Sequence, residues 1–254
     1  GLVSDRREGV SVYYRMAASI VDPSLAALWE LLRTNTSDPL IQQDSDRIPQ
    51  VINARRGNSN WADSVAGDME RHYSPGRTWE VTTRAIVQLL ELGDVLDIAS
   101  GDGVLAELLA PRARSVHCLD ISQRVVDAGK ERLCNYSNVS FAAGDMHDLP
   151  VEDASFDTVL LMHALTYTEE PQTVFNEASR VLRPGGRLLA ATLQKHPHKS
   201  AVEAYNHVNL GFTASALDAF CTQAGLEPQS IKVSAVEKRT PNFEVLTLMA
   251  DKSG

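Results

Sequence analysis

The chain has few cysteines, few aromatic residues and no surplus of positive charge. Its three cysteines, Cys118, Cys134 and Cys221, have no paired spacing, which predicts free thiols in a reducing compartment rather than disulfides or a zinc site. The 24 Lys and Arg are outnumbered by 33 Asp and Glu, and this net charge of −9 disfavours nonspecific binding of nucleic acid by the whole surface. No apolar run approaches the length of a membrane span. We therefore expect a cytoplasmic protein without a membrane partner.

The segment VLDIASGDG, residues 95–103, predicts a buried strand followed by a tight glycine turn. Its apolar residues are typical of a central parallel strand that is covered on both faces. Gly101 and Gly103 permit a sharp turn and a close approach of a ligand to the backbone, and a helix is predicted directly after them, over residues 104–110. A strand, a glycine turn and a helix N-terminus form a nucleotide-binding corner, although the pattern alone also fits an ordinary strand-to-helix turn.

Two further predicted strands end in carboxylates. Asp120 closes the strand HCLD, 17 residues after Gly103, a position that suits the two hydroxyls of a ribose. Asp145 follows the next strand and can accept a hydrogen bond from an adenine amino group, with Met146 against the ring. Three successive strands with acidic ends favour a nucleotide-type ligand over an ordinary turn.

This series of motifs resembles the class I S-adenosylmethionine-dependent methyltransferases, whose first motif is hhD-h-G-x-G-x-G. Ala99 stands where the first glycine of that motif is usual. The string LRPGGRLL, residues 182–189, is similar to the turn before the fifth strand of the family. The resemblance covers roughly the last two-thirds of the chain, and the chain lacks both the third glycine of dinucleotide sites and the lysine of P-loops, which argues against NAD and ATP.

The resemblance implies S-adenosyl-L-methionine as the cofactor and a Rossmann-like α/β fold, with a seven-stranded sheet and helices on both faces. The regular alternation of predicted strands and helices after Gly103 agrees with a parallel sheet. Strands are predicted over residues 139–142, 156–162 and 187–193, helices over residues 122–133, 171–182 and 213–224, and an antiparallel closing pair over residues 228–236 and 243–249. The cofactor-binding residues that the resemblance implies are Asp97, Ala99, Ser100, Gly101, Gly103, Asp120, Ile121, Gly144, Asp145, Met146 and His163.

Residues 1–35 resemble the end of a winged-helix regulator of the arsenic-repressor (ArsR) type. The string GLVSDRREGVSVYYR predicts a β-hairpin with residues 5–9 at a charged tip, and the resemblance makes it a wing that lies on DNA through Arg6 and Arg7. A surface hairpin with solvated charges is the alternative. The recognition helix that reads bases is expected before residue 1, so the chain is interpreted as a piece of a regulator–methyltransferase fusion that binds DNA only in a longer form.

A second feature of this segment is an amphipathic helix, predicted over residues 23–32. Leu25, Leu28, Trp29 and Leu32 fall on one of its faces. In the regulators the corresponding helix forms a dimer interface, which implies a homodimer. Packing of this face against its own chain is the alternative.

Residues 36–75 are interpreted as a linker with cofactor-covering helices, ahead of a methyltransferase domain over residues 76–254. The string YSPGRTW, residues 73–79, resembles a segment that precedes the methyltransferase domain in such fusions. The resemblance places Tyr73 and Arg77 over the methionine end of the cofactor, with Arg77 near its carboxylate. A packing turn that caps a helix over residues 80–92 is the alternative.

Methyl transfer requires alignment of donor and acceptor and removal of a proton where the nucleophile carries one. His163 ends the fourth strand and is the candidate base, with Tyr167 one turn later; positioning of the cofactor is the alternative role of His163. His207 and Phe212 follow the fifth strand, where the family places substrate-selecting residues, and are the substrate-side candidates. His196, His198 and His207 invite a metal site, but no Cys or carboxylate completes the ligand set, so no metal is expected.

The predicted function is methyl transfer from S-adenosyl-L-methionine to an unidentified small molecule. A regulatory module is the alternative, in which the domain senses the cofactor as the effector of a DNA-binding regulator. Arsenic methylation is disfavoured because it needs thiolate ligands and the three cysteines are scattered.

Overall fold

The computed structural model describes residues 3–8, 11–16, 29, 31, 32, 48 and 78–254, and the chain divides into two compact units, residues 1–75 and 76–254. In the first unit, strands β1 (Val3–Glu8) and β2 (Ser11–Met16) form an antiparallel hairpin. Arg6 pairs with Tyr13 and Arg7 with Val12, so these arginines lie within a strand. The hairpin is therefore present as predicted, but the prediction of a charged tip over residues 5–9 is wrong, because only residues 9 and 10 connect the strands.

Several predicted features of the first unit lie outside the described residues. They are Leu25, Leu28, Tyr73 and Arg77. The predicted helices before residue 78 also lie outside the described residues, apart from positions 29, 31, 32 and 48. Trp29 and Leu32, from the predicted apolar face, are helical and exposed, with 39% and 54% of their surface accessible.

The second unit is built on a seven-stranded sheet with the order β5-β4-β3-β6-β7-β9-β8. Its strands are β3 (Asp94–Ile98), β4 (Ser115–Asp120), β5 (Val139–Ala143), β6 (Phe156–Met162), β7 (Leu182–Leu193), β8 (Leu226–Val236) and β9 (Glu244–Lys252). The first five pair in parallel, whereas β9 pairs antiparallel to both β7 and β8. The predicted mostly parallel sheet with an antiparallel closing pair is confirmed.

Helices alternate with the strands of this sheet. They are α1 (Trp79–Val87), α2 (Val104–Leu109), α3 (Gln123–Arg132), α4 (Pro171–Val181), α5 (Lys199–Val202) and α6 (Ala214–Gln223). Thr78 caps α1, since its hydroxyl accepts a hydrogen bond from the N–H of Val81, and Thr213 caps α6 in the same way. Ser122 occupies the N-cap position of α3 as predicted, but its side chain makes no capping bond.

Hydrophobic clusters cover both faces of the sheet, and neighbouring residues of β3 join different clusters. Leu96 and Ile98 pack with β6, β7, α4 and α6, whereas Val95 packs with α2, α3 and residues of β4 and β5. A strand buried on both faces favours apolar residues at successive positions, which explains Val95, Leu96 and Ile98 of β3 but not the buried Asp97. Cys118 and Cys221 are buried and Cys134 is exposed, and all three are free thiols. Among the described residues no helix is long and apolar enough to cross a bilayer.

Candidate functional site

The glycine corner after β3 bends through three residues with left-handed backbone conformations. Ala99, Gly101 and Gly103 have φ values of 57°, 58° and 81°. A Cβ on Gly103 would lie 2.6 Å from Cζ of Phe141, so this glycine is needed for packing as well as for its backbone. The position of a Cβ on Gly101 is open space. The corner therefore leaves an uncovered backbone surface at the start of α2.

Asp120, the last residue of β4, faces this corner. Its Oδ2 accepts a hydrogen bond from the N–H of Gly101 at 3.1 Å, and its Oδ1 accepts one from the N–H of Ser122 at 3.0 Å. Each carboxylate oxygen keeps a second lone pair for a further donor. The carbonyl of Asp120 also accepts from the N–H of Gly144, at 3.0 Å, which joins the ends of β4 and β5.

Asp145 projects from the segment that follows β5. Its Oδ1 accepts two hydrogen bonds from His147, from the backbone N–H at 2.9 Å and from Nδ1 at 2.6 Å. These bonds, first the one from the backbone N–H, hold the pKa of the Asp145 carboxyl below its ordinary value. Asp145 is therefore ionised at neutral pH and presents an acceptor beside Met146.

These residues enclose a cleft of about 460 Å³, within the range of about 300–1,000 Å³ that small-molecule sites occupy. The cleft lies beyond the carboxyl ends of β3, β4 and β5, where ligands bind in open α/β sheets. Seven residues of the predicted cofactor set line it: Ala99, Gly101, Asp120, Ile121, Gly144, Asp145 and Met146. Four further lining residues are Ile98, Leu119, His147 and Tyr167.

Other residues of the predicted cofactor set do not line the cleft. Asp97 is buried in β3, only 2% exposed, and its Oδ2 has no hydrogen-bond partner among the described residues. Burial raises the pKa of Asp97 to about 7. Ser100 and Gly103 form the turn behind the cleft-lining residues, with the N–H of Ser100 bonded to the carbonyl of Leu119 at 3.0 Å. His163 is exposed after β6, with a φ of 60°.

Tyr167 lines the cleft, and His207 contacts its ring from outside the set of lining residues. The two rings pack edge to face, with centroids 5.3 Å apart. The loop that carries His207 is bound to the turn Leu165–Tyr167 through the N–H of Val208, which donates to the carbonyl of Thr166 at 2.9 Å. Burial, with a contribution from the charge of His163, lowers the pKa of His207, so its imidazole is neutral at pH 7. Nδ1 of His207 is buried and has no partner among the described residues.

Phe212, the second substrate-side candidate, lies in the hydrophobic core. It is 8% exposed and packs against Phe220, with ring centroids 6.1 Å apart. Its backbone N–H and carbonyl bind the strand extension at Leu193 and Lys195. The structure thus places Phe212 behind the loop rather than at the cleft, because an aromatic side chain in this position fills the space between α6 and the sheet.

His196 and His198 pack against Phe243 instead of converging with a carboxylate. The ring centroid of His196 is 4.6 Å from that of Phe243 and 5.9 Å from that of His198. No group of three or more His, Cys, Asp or Glu among the described residues is arranged to hold a metal ion.

Sequence comparison now identifies the fold. A family model described as a methyltransferase domain matches residues 96–190, which run from β3 into β7. Over these residues the chain is similar to methyltransferase domains. The chain is 34% identical over 119 residues to the demethylmenaquinone methyltransferase of Clavibacter sepedonicus, an alignment that covers 47% of this chain and 49% of that protein. The chain spans about half the length of the curated relatives that it matches.

Solved structures share the fold of the methyltransferase domain. An S-adenosylmethionine-dependent methyltransferase from Methanosarcina mazei superposes with a TM-score of 0.52 at 20% identity, covering 66% of this chain and 97% of that one. The [4+2]-cyclase SpnF superposes with a TM-score of 0.58 at 21% identity, covering 71% of this chain and 84% of that one. Proteins with this fold therefore include enzymes of more than one reaction class.

The match to a methyltransferase domain supports the predicted cofactor, S-adenosyl-L-methionine. The chemistry of the cleft fits this molecule. The cofactor carries ribose hydroxyls and an adenine amino group, which are donors, and the cleft offers carboxylate acceptors at Asp120 and Asp145. The uncovered backbone at Gly101 leaves room for a ligand to lie against it.

Proposed function

We propose that this chain transfers the methyl group of S-adenosyl-L-methionine to a small-molecule acceptor. The observation that carries the proposal is the position of Asp120, whose carboxylate is bonded to the N–H of Gly101 and lines a cleft of about 460 Å³. This arrangement brings a ribose-binding group and an open glycine backbone to one place, at the edge of the sheet where ligands bind.

In this proposal each carboxylate binds a different part of the cofactor. Asp120 accepts hydrogen bonds from the ribose hydroxyls, and Asp145 accepts one from the adenine amino group while Met146 contacts the ring. The buried oxygen of Asp97 is the partner of the ammonium group. The assignment of Tyr73 and Arg77 to the methionine end rests on sequence resemblance and belongs to the same proposal.

In this proposal the acceptor binds at the side of the cleft that Tyr167 lines, with His207 against the ring of Tyr167. When bound, the cofactor supplies a methyl group activated by its sulfonium, so the protein has to align the acceptor and receive any proton that the acceptor releases. His207 is neutral and has an unpartnered nitrogen, and His163 is exposed nearby; both are candidates to receive that proton. An imidazole with a pKa near or below neutral is suited to this role.

The wider organisation of the protein is proposed from sequence resemblance. The hairpin β1–β2 is the wing of an ArsR-type domain, the helix over residues 23–32 joins two copies of the chain, and DNA is a partner only of a longer form with a complete winged helix. Sensing of the cofactor by such a regulator, without turnover, is the function that competes with methyl transfer.

A methyl-transfer assay distinguishes the two functions. The protein is incubated with cofactor labelled at the methyl group and with a small-molecule extract, and labelled product and S-adenosylhomocysteine are measured. Turnover that Asp120→Asn lowers at subsaturating cofactor supports the enzyme, because the variant should bind S-adenosyl-L-methionine and S-adenosylhomocysteine about tenfold or more weakly. Asp127→Asn, an exposed carboxylate on α3, is the matched control and should retain activity. Tight binding without turnover in any extract supports the sensor instead.

A further inference from the structure

His147 connects Asp145, at the cleft, to Thr168, in the protein interior, through a chain of hydrogen bonds. Its Nδ1 lies 2.6 Å from Oδ1 of Asp145, and its Nε2 lies 2.7 Å from Oγ1 of Thr168, 21 residues later in the chain. Thr168 is almost fully buried, and its Oγ1 also accepts the N–H of Glu170 at 2.8 Å. The imidazole is thus fixed at both nitrogens.

The partners of His147 determine which nitrogen carries the proton. Asp145 is ionised and can only accept, so Nδ1 of His147 donates to it. In a neutral ring Nε2 is then the unprotonated nitrogen, and it accepts the hydroxyl proton of Thr168. Because Thr168 Oγ1 receives its own hydrogen bond from Glu170, every member of the chain is satisfied when His147 is neutral and protonated at Nδ1.

This arrangement leaves one oxygen of Asp145 available at the cleft. Both donors of His147 bind Oδ1, and no described residue donates to Oδ2. The side chain of Asp145 is 53% exposed, and both Asp145 and His147 line the cleft. A carboxylate held in this way is an oriented acceptor, which an amino group satisfies and a carbonyl oxygen repels.

We propose that His147 is a positioning residue that makes the cleft selective for a 6-aminopurine over a 6-oxopurine. It acts by holding Oδ1 of Asp145 so that Oδ2 faces the base. The inference rests on the proposed binding of S-adenosyl-L-methionine and adds a determinant of base selectivity that lies outside the acidic strand ends.

Two substitutions separate the contacts of His147. The amide nitrogen of Asn reaches the place of Nδ1, so His147→Asn keeps a donor for Asp145 and loses the bond to Thr168. The terminal amide of Gln reaches the place of Nε2, where its oxygen can accept the hydroxyl proton of Thr168, so His147→Gln keeps contact with Thr168 and loses the donor for Asp145. A merely structural role for His147 would not favour Asn over Gln.

The measurement is the ratio of the dissociation constants of S-inosylhomocysteine and S-adenosylhomocysteine, by calorimetry. We expect the wild-type ratio to fall about tenfold in His147→Gln and to stay within about threefold in His147→Asn. An unchanged ratio in His147→Gln, or an equal fall in both variants, overturns the inference. Thermal melting of each variant shows that it is folded.

The proton position in the wild-type protein gives a second test that needs no variant. Long-range ¹H–¹⁵N spectra of histidine-labelled protein should show Nδ1 as the protonated nitrogen of the neutral His147 ring, and a neutral ring protonated at Nε2 would contradict the inference. A wild-type protein that binds neither nucleoside overturns this inference together with the cofactor assignment. Selective binding without methyl transfer leaves the inference standing and refutes only the proposed enzymatic activity.

Discussion

Ala99 holds a backbone conformation that alanine tolerates poorly. Its φ of 57° costs an L-residue about 1–2 kcal/mol, whereas glycine adopts it freely. Glycine also raises the conformational entropy of the unfolded chain, which reduces the stabilisation from relieved strain by about 0.4–1 kcal/mol. We therefore expect Ala99→Gly to stabilise the domain by about 0.5 kcal/mol, measured as a shift of the urea midpoint.

A matched control is available at Ala154, which has a φ of 48° in an exposed turn outside the cleft. Ala154→Gly should give a similar gain in stability. Because Ala99 lines the cleft, only Ala99→Gly should also change the affinity for S-adenosylhomocysteine. Destabilisation by both substitutions would show that the unfolded-state entropy of glycine outweighs the relief of strain.

Asp97 makes the stability of the free protein depend on pH. Burial raises its pKa to about 7, above the ordinary value of 3.8. The folded protein therefore holds this proton more tightly than the unfolded chain, and the contribution of Asp97 to stability is largest below pH 4 and falls as pH rises through about 7. Asp97→Asn should remove this loss of stability at higher pH. The advantage of Asp97→Asn over wild type in urea unfolding should be greater at pH 8 than at pH 5, and an advantage that shrinks with pH would contradict the assignment.

The residues predicted from sequence are those whose position follows from strand order. Asp120 and Asp145 end neighbouring parallel strands, and the carboxyl ends of such strands meet at one edge, so their convergence is predictable. The bond between His147 and Thr168 joins segments 21 residues apart and has no local signal. Phe212 was assigned to the substrate side because its loop follows β7, but the loop turns its aromatic residue into the core.

At the scale of elements, ion pairs join β3, β6 and β7 at the edge of the sheet opposite the cleft. Asp157 Oδ2 accepts the N–H of Asp94 at 2.8 Å and pairs with Arg183 at 2.8 Å. Arg183 belongs to the LRPGGRLL turn and also pairs with Asp94, at 2.9 Å. These contacts explain why an arginine precedes the Pro-Gly-Gly sequence.

Asp157→Asn should weaken this junction without affecting the cleft. We expect a loss of about 1–2 kcal/mol in unfolding free energy, because the buried N–H of Asp94 and the arginine lose a charged partner. Affinity for S-adenosylhomocysteine should stay at the wild-type value, since the substitution lies at the amino ends of the strands. Loss of ligand affinity in a folded variant would show that the two edges of the sheet are coupled.

Helices and strands with strong periodicity agree with their predicted bounds. The residue at which a helix or strand ends depends on contacts with residues distant in sequence, which are harder to predict. Strand β6, residues 156–162, matches its prediction. Helix α1 was expected to reach residue 92 but ends at Val87. Beyond it the N–H groups of Leu89 and Leu90 bond three residues back, and the carbonyl of Leu92 accepts the hydroxyl of Thr158 at 2.9 Å. This bond ties the segment after α1 to β6.

At the scale of the whole molecule, negative charge dominates. The chain carries a net charge of −9, while Arg6 and Arg7 lie exposed on β1 next to Asp5. Two arginines on a hairpin position a protein on phosphates but do not read bases. Long-range repulsion between the chain and a duplex should therefore outweigh the attraction that these two residues provide.

We predict that this chain alone binds no specific operator. Fluorescence anisotropy with labelled duplexes from the region upstream of its own gene should show only weak, salt-sensitive binding. The number of counterions released on binding, obtained from the slope of the logarithm of the binding constant against the logarithm of the salt concentration, should fall by no more than about two in the double variant Arg6→Ala, Arg7→Ala. The same assay on a form extended at its N-terminus tests the proposed winged helix, since a recognition helix would add discrimination of about a thousandfold or more between sequences. Tight, sequence-specific binding by residues 1–254 alone would instead place the base-reading element within this chain.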